Sequence, residues 1–142
     1  MQNGNGITGL MKKIVLDAYA ILKFYQDEEG ADEVEKLLMT AQGGGLWACI
    51  SEINLGEVYY QTIRRKGLPA ARRHLEQFYA LPVEVIAPSS EIILSASEIK
   101  AQYAISYADC FAAATALKYS ASIITGDAEF KKIEHLVKIV WI

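Results

Sequence analysis

Short apolar segments alternate with longer helical segments along most of this sequence. Five of the short segments are rich in β-branched or other apolar residues, which is typical of buried strands. They are KIVL (13–16), LWACI (46–50), VEVIA (83–87), ASIIT (121–125) and VKIVWI (137–142). Strands that are separated by helices predict an α/β fold, in which a central, mostly parallel sheet is flanked by helices.

Capping residues and glycines predict where the helices begin and end. Ser51 and Ser106 are suited to cap the helices that follow them, and Pro69 is suited to open another. The triple glycine at 43–45 ends a helix. The predicted helices cover 18–26, 31–42, 51 to about 67, 69 to about 81, 89–103 and 107–120, with a turn and a short helix at 126–135.

The length of 142 residues suits one domain with its own core. The first ten residues, MQNGNGITGL, are rich in glycine and asparagine, so we expect a disordered leader at 1–10 and a folded domain at 11–142. No apolar run is long enough to cross a membrane. Cys49 and Cys110 lack the CxxC spacing of a zinc site, which favours buried, reduced thiols in a cytoplasmic protein.

The overall charge is slightly negative, with 14 Lys and Arg against 17 Asp and Glu. This balance argues against a surface that coats nucleic acid broadly, but it leaves room for a local basic groove. One basic cluster surrounds the turn at 67–69 and consists of Arg64, Arg65, Lys66, Arg72 and Arg73. It is consistent with phosphate binding, with a solvated surface rich in salt bridges, or with contacts to an acidic partner.

Two aspartates lie where a parallel sheet would bring them together, and a third lies near the start of a helix. Asp17 directly follows the first strand, and Asp127 follows the fourth strand after Thr125. Because ligand sites in such sheets lie beyond the carboxyl ends of the strands, these two positions predict one site. Asp109 is near the start of a helix, where the helix dipole alone would also favour a carboxylate.

A fourth acid lies on the long helix that begins at Ser51. Asn54, Glu57 and Gln61 are spaced three and four apart, so they share one helix face. A solvated polar stripe is the favoured interpretation for Asn54 and Gln61. For Glu57 a functional role is the alternative interpretation, because the three aspartates could converge with it in one site.

Four acids in one cleft would repel each other strongly, and a divalent cation would relieve that repulsion. Oxygen ligands without His or Cys favour Mg²⁺ or Mn²⁺ over zinc. Such a site can direct a water molecule at phosphorus, so the chemistry that the acids suggest is hydrolysis of a phosphodiester.

Four segments, in this order, resemble the acidic motifs of PIN-domain ribonucleases, and of VapC toxins in particular. The segments are VLDAYAIL (15–22), INLGEVYY (53–60), YADCFAAATA (107–116) and IITGDAEF (123–130). The resemblance runs from about Met11 to the C-terminus. It implies a metal-dependent endoribonuclease that acts on RNA, forms a homodimer and is neutralised by an antitoxin. It also implies that Asp17, Glu57, Asp109 and Asp127 are metal ligands and that Thr125 is the hydroxyl residue before the last acid.

One departure from the family pattern leaves a second function open. Family members usually carry a small hydroxyl or Asn shortly after the first acid, whereas this sequence has Ala18, Tyr19 and Ala20. A protein-binding module with a PIN fold and weak catalysis is therefore the main alternative. A phosphoryl-transfer receiver domain is a weaker one, because Asp17 has no adjacent acidic partner.

Overall fold

The computed structural model describes residues 11–142, so the predicted leader at 1–10 lies outside the described residues. The strands are β1 (Lys12–Leu16), β2 (Leu46–Ser51), β3 (Glu84–Ile86), β4 (Ser122–Thr125) and β5 (Ile139–Trp141). The α-helices are α1 (Ala18–Gln26), α2 (Ala31–Gln42), α3 (Glu52–Lys66), α4 (Leu68–Tyr79), α5 (Ser90–Gln102) and α6 (Tyr107–Tyr119). A 3₁₀ helix covers Ala128–Ile133.

The five strands form one sheet in the order β3-β2-β1-β4-β5, and every neighbouring pair is parallel. This confirms the predicted α/β fold. Strands β2 and β3 lie on one side of β1, and β4 and β5 lie on its other side. The carboxyl ends of β1 and β4 therefore lie next to each other where the strand order reverses, which is the usual ligand position in such sheets.

Side chains of β1 alternate between two apolar cores. Ile14 and Leu16 pack with residues of α1, α2, α3 and α4 on one face of the sheet. Val15 packs with residues of α5, α6 and the 3₁₀ helix on the other face. Because successive side chains of a strand point to opposite faces, burial on both faces explains why the strand segments are continuously apolar.

The capping predictions agree with the observed helix starts. Ser51 Oγ accepts a hydrogen bond from Ile53 N at 3.3 Å, and Ser106 Oγ accepts one from Asp109 N at 3.1 Å. Cys49 and Cys110 are both buried and free. Within residues 11–142, the helices are too short or too polar to cross a membrane.

Candidate active site

Asp17 lies at the end of β1, where it is the N-cap residue of α1 and only 1% exposed. Its Oδ1 accepts a hydrogen bond from Ala20 N at 2.9 Å, and its Oδ2 accepts one from Thr125 Oγ1 at 2.5 Å. Burial raises the pKa of Asp17 to about 7, although both hydrogen bonds act to lower it. The negative charges of Asp109 and Asp127 raise this pKa further.

Thr125, the last residue of β4, links two of the acids. Its hydroxyl donates to Asp17 and accepts a hydrogen bond from Asp127 N at 3.0 Å. The residue is fully buried, so water does not compete for these bonds. The side chain thus fixes the end of β1 to the loop that follows β4.

Asp127 is half-buried, and its Oδ1 caps the 3₁₀ helix by accepting a hydrogen bond from Glu129 N at 2.9 Å. The preceding residue, Gly126, lies against the ring of Tyr19. A Cβ atom at position 126 would be 2.5 Å from Tyr19 Cε1, which is closer than two carbon atoms can approach. Glycine is therefore required for this loop to lie where it does unless Tyr19 moves.

Asp109 lies in the first turn of α6 and is 8% exposed. Burial, followed by the charge of Asp127, raises the pKa of Asp109 to about 6. The hydroxyl of Ser106 lowers this pKa, and the charge of Glu57 raises it. If Asp109 only interacted with the helix dipole, its charged form would be favoured. The burial and neighbouring charges around Asp109 instead disfavour its charged form.

Glu57, on α3, is half-buried and accepts a hydrogen bond at 3.4 Å from Nε2 of Gln61. Burial raises the pKa of Glu57, a hydrogen bond from Asn54 lowers it, and the charge of Asp127 raises it. The interpretation of Asn54 and Gln61 as a solvated stripe is wrong for Asn54, which is fully buried, and Gln61 is half-buried beside Glu57.

Asn54 connects α3 to the start of α6. Its Nδ2 donates to the carbonyl oxygen of Ala108 at 3.2 Å, directly before Asp109, while its buried Oδ1 has no partner. This side chain therefore influences the placement of Asp109, and its hydrogen bond also lowers the pKa of Glu57. Sequence reasoning identified its shared face with Glu57 but missed its burial. The spacing of three residues before Glu57 was the available signal.

The four predicted acids line one cleft of about 150 Å³. Four other residues complete its lining, namely Ala18, Tyr19, Leu22 and Gln61. None of these eight residues carries a positive charge, so nothing in the lining neutralises the acids. The structure thus brings together every acid that the sequence singled out, from β1, α3, α6 and the loop after β4.

The chemistry of this donor set fits a hard divalent cation, since four carboxylates supply only oxygen ligands. Within residues 11–142, however, no three Asp, Glu, His or Cys side chains are already arranged to hold a metal ion. Both oxygens of Asp17 and one oxygen of Asp127 bond to protein atoms instead. Carboxylates would have to rotate toward a cation, so the metal site stays a prediction.

The hydroxyl that the family usually carries after the first acid is replaced here by other contacts. Ala18 and Ala20 are buried, and Tyr19 is half-buried in the cleft wall. Asp17 is nevertheless bonded at both oxygens, by Thr125 and by the backbone of Ala20. The orientation of Asp17 therefore does not depend on a small hydroxyl at positions 18–20.

Sequence comparison identifies one family. The model of the PIN domain matches residues 14–136, which includes all four acids and Thr125. A search by sequence among curated proteins found no relative. The match spans most of the chain and argues against the receiver-domain alternative.

Solved structures with a similar fold include toxin–antitoxin complexes. VapBC2 from Rickettsia felis, bound to a DNA fragment from its promoter, matches with a TM-score of 0.71 at 19% identity, over 90% of this chain and 97% of that one. DNA-bound VapBC from Salmonella typhimurium matches with a TM-score of 0.71 at 21% identity, over 92% and 98%. VapC20 from Mycobacterium tuberculosis, a Sarcin-Ricin loop cleaving toxin, matches with a TM-score of 0.66 at 18% identity, over 83% and 92%. At these identities the likeness establishes the fold.

Proposed function

This chain belongs to the PIN-domain family, and from that membership and its acidic cleft we propose that it is a divalent-cation-dependent endoribonuclease, the toxin of a toxin–antitoxin pair. One observation carries the proposal: four acids from separate elements line one cleft whose lining has no positive charge. Burial raises the pKa of Asp17 and Asp109, so the site holds negative charge at a cost in free energy. A bound cation would remove that cost.

In this proposal Asp17, Asp109 and Asp127 hold Mg²⁺ or Mn²⁺ directly or through water, and Glu57 completes the site or orients the attacking water. The cation, when bound, supplies positive charge that stabilises the charge developing on the phosphate. Thr125 acts as a positioning residue, because it bonds to Asp17 and to the backbone of Asp127.

The reaction would be hydrolysis of a phosphodiester by in-line displacement. A water oxygen forms a bond to phosphorus, and the bond from phosphorus to the leaving sugar oxygen breaks. The water loses a proton, and we assign its acceptance to Glu57, which is half-buried in the cleft wall and bonded to Gln61. The leaving oxygen gains a proton, so the products are two shorter strands.

The choice of RNA and of an antitoxin partner draws on the relatives of similar fold. VapC20 is a toxin that cleaves the Sarcin-Ricin loop, and the two VapBC structures are complexes bound to DNA. We include a homodimer and a cytoplasmic location in the proposal. Exposed apolar side chains on α3 and α4, two helices that pack on the same face of the sheet, support an interface, and these are Ile53, Tyr60 and Tyr79.

A cleavage assay tests this proposal. The purified chain is incubated with end-labelled single-stranded RNA, and separately with DNA of the same sequence. In Mg²⁺ we expect internal cleavage of the RNA, and little or no cleavage of the DNA. Gel analysis of the products over time provides the measurement. If the folded protein cleaves neither strand, nor any structured RNA from a total cellular extract, the alternative of a binding module with weak catalysis is favoured.

A further inference from the structure

The basic cluster at the junction of α3 and α4 carries charge that the fold does not neutralise. Its members Arg64, Arg65, Lys66, Arg72 and Arg73 are all exposed. Among residues 11–142, the three ion pairs involve Lys23, Lys118 and Lys132, so no member of this cluster is paired. The cluster holds 5 of the 14 Lys and Arg residues of a chain whose net charge is −3. Such a concentration of unpaired cations favours an anionic ligand.

One member of the cluster, Arg65, lies on the same side of α3 as two residues of the acidic cleft. Glu57, Gln61 and Arg65 follow each other at intervals of four residues, so they form one row along the helix. Glu57 and Arg65 are separated by about 12 Å along the helix axis, from a rise of about 1.5 Å per residue. The row therefore leads from an acid of the cleft directly to the basic cluster.

The opposite wall of this path is α1. Leu22 lines the acidic cleft, and it also lines a second hollow together with Gln26, Arg65 and Lys66. The two hollows therefore share Leu22 as a wall residue, and we refer to both together as the groove between α1 and α3. An RNA strand that extends from the acidic cleft into the second hollow would contact Arg65 and Lys66.

His74, on α4, also lines the second hollow. Its ring stacks on Tyr25 with a centroid distance of 4.9 Å, and both residues line that hollow. Burial lowers the pKa of His74, and the positive charges of Lys66 and Arg73 lower it further. Arg64 instead lies over the ring of Tyr60, 5.0 Å from its centroid, so it is engaged by an aromatic partner.

We propose that the groove between α1 and α3 binds the phosphates of the RNA strand beside the cleaved bond, through Arg65 and Lys66. This inference rests on the proposed function. RNA is favoured over an acidic protein because the groove joins a cleft proposed to hydrolyse phosphodiesters. None of the residues that line that cleft is positively charged, whereas Arg65 and Lys66 line the neighbouring hollow.

The double variant Arg65→Gln/Lys66→Gln tests the groove, with Lys12→Gln/Lys138→Gln as a control of equal charge. Lys12 and Lys138 are exposed and lie at the amino ends of β1 and β5, at the edge of the sheet opposite the acids. Binding of a short labelled single-stranded RNA is measured by anisotropy over a range of salt concentrations. Both double variants also carry Asp109→Asn, and binding is measured with a chelator present, so that no cleavage occurs.

We expect the groove variant to weaken RNA binding at least about tenfold. The salt slope of log K should fall by about 1.4, because each phosphate that a cation neutralises on a single strand adds about 0.7 to that slope. The control should change binding less than twofold. With Asp109 restored and Mg²⁺ present, the groove variant should raise KM with little change in kcat, because it removes binding shared by the ground and transition states.

Equal RNA binding by the groove and control variants would overturn the inference. So would a groove variant that binds RNA normally but no longer binds an octaglutamate peptide, since that result would assign the cluster to an acidic protein. The proposed function fails by a different readout, the absence of RNA cleavage by the wild-type chain in Mg²⁺. The two failures are therefore distinguishable.

Discussion

Asp109→Asn is expected to lower RNA cleavage by at least about 100-fold, the low end of what a positioned charged or acid–base group contributes. The amide keeps the shape of the side chain but loses the charge that would hold a cation. The fold should persist, because the backbone N of residue 109 keeps its hydrogen bond to Ser106 Oγ and an Asn side chain can still accept from that hydroxyl. Initial rates on labelled RNA, together with circular dichroism of the same samples, provide the measurement.

Asp32→Asn is the matched control for this substitution. Asp32 also lies in the first turn of a helix, α2, but it is exposed and does not line the cleft. If Asp109 served only the helix dipole, both substitutions would cost roughly 0.3–1 kcal/mol of stability and leave cleavage unchanged. Cleavage by Asp109→Asn at the rate of Asp32→Asn would end its assignment to the site.

Without a divalent cation, the protein is expected to lose stability as the pH rises from about 4 to about 7. The folded-state pKa values of Asp17 and Asp109 are raised to about 7 and about 6, so the folded state binds more protons in this window than the unfolded state. The stability is present in full below the ordinary aspartate pKa near 3.9 and is lost as the pH passes the raised values. For Asp17 the loss is of the order of a few kcal/mol.

Thermal melts of wild type and Asp109→Asn with a chelator, at several pH values, test this expectation. The variant should gain stability relative to wild type as the pH rises from about 4 to about 6, because it has one buried charge fewer. Mn²⁺ at about 100 times its Kd should stabilise the wild type by about 2.7 kcal/mol, roughly 5–10 °C in Tm for a chain of this size. The variant should gain clearly less from Mn²⁺. Parallel pH profiles of the two proteins would contradict the raised pKa values.

The sequence predicted the sheet and the edge at which the acids meet, because both follow from local patterns. Apolar segments buried on both faces identify strands such as β1. Asp17 and Asp127 then fall after the carboxyl ends of two strands, and so at one edge of the sheet, without any knowledge of the packing. The strand order itself does not follow from these patterns, and it is what places β1 beside β4.

The parts that sequence reasoning missed depend on contacts between distant segments. The spacing of Asn54 predicts a solvated helix residue. The side chain is instead buried against α6, where it donates a hydrogen bond to the carbonyl oxygen of Ala108. The close approach of Gly126 to the ring of Tyr19 also joins segments more than a hundred residues apart in sequence. Thr125 was identified by resemblance, yet its bonds to both Asp17 and the backbone of Asp127 emerge only from the folded chain.

Removal and return of the divalent cation during RNA cleavage tests the central claim most directly. The wild-type chain is assayed on labelled RNA in Mg²⁺, after complete chelation, and again after excess Mg²⁺ or Mn²⁺ is restored. If the four acids form a metal-dependent hydrolytic site, cleavage stops on chelation and returns with the cation, while Asp109→Asn stays inactive throughout. Cleavage that persists undiminished after complete chelation would contradict the claim.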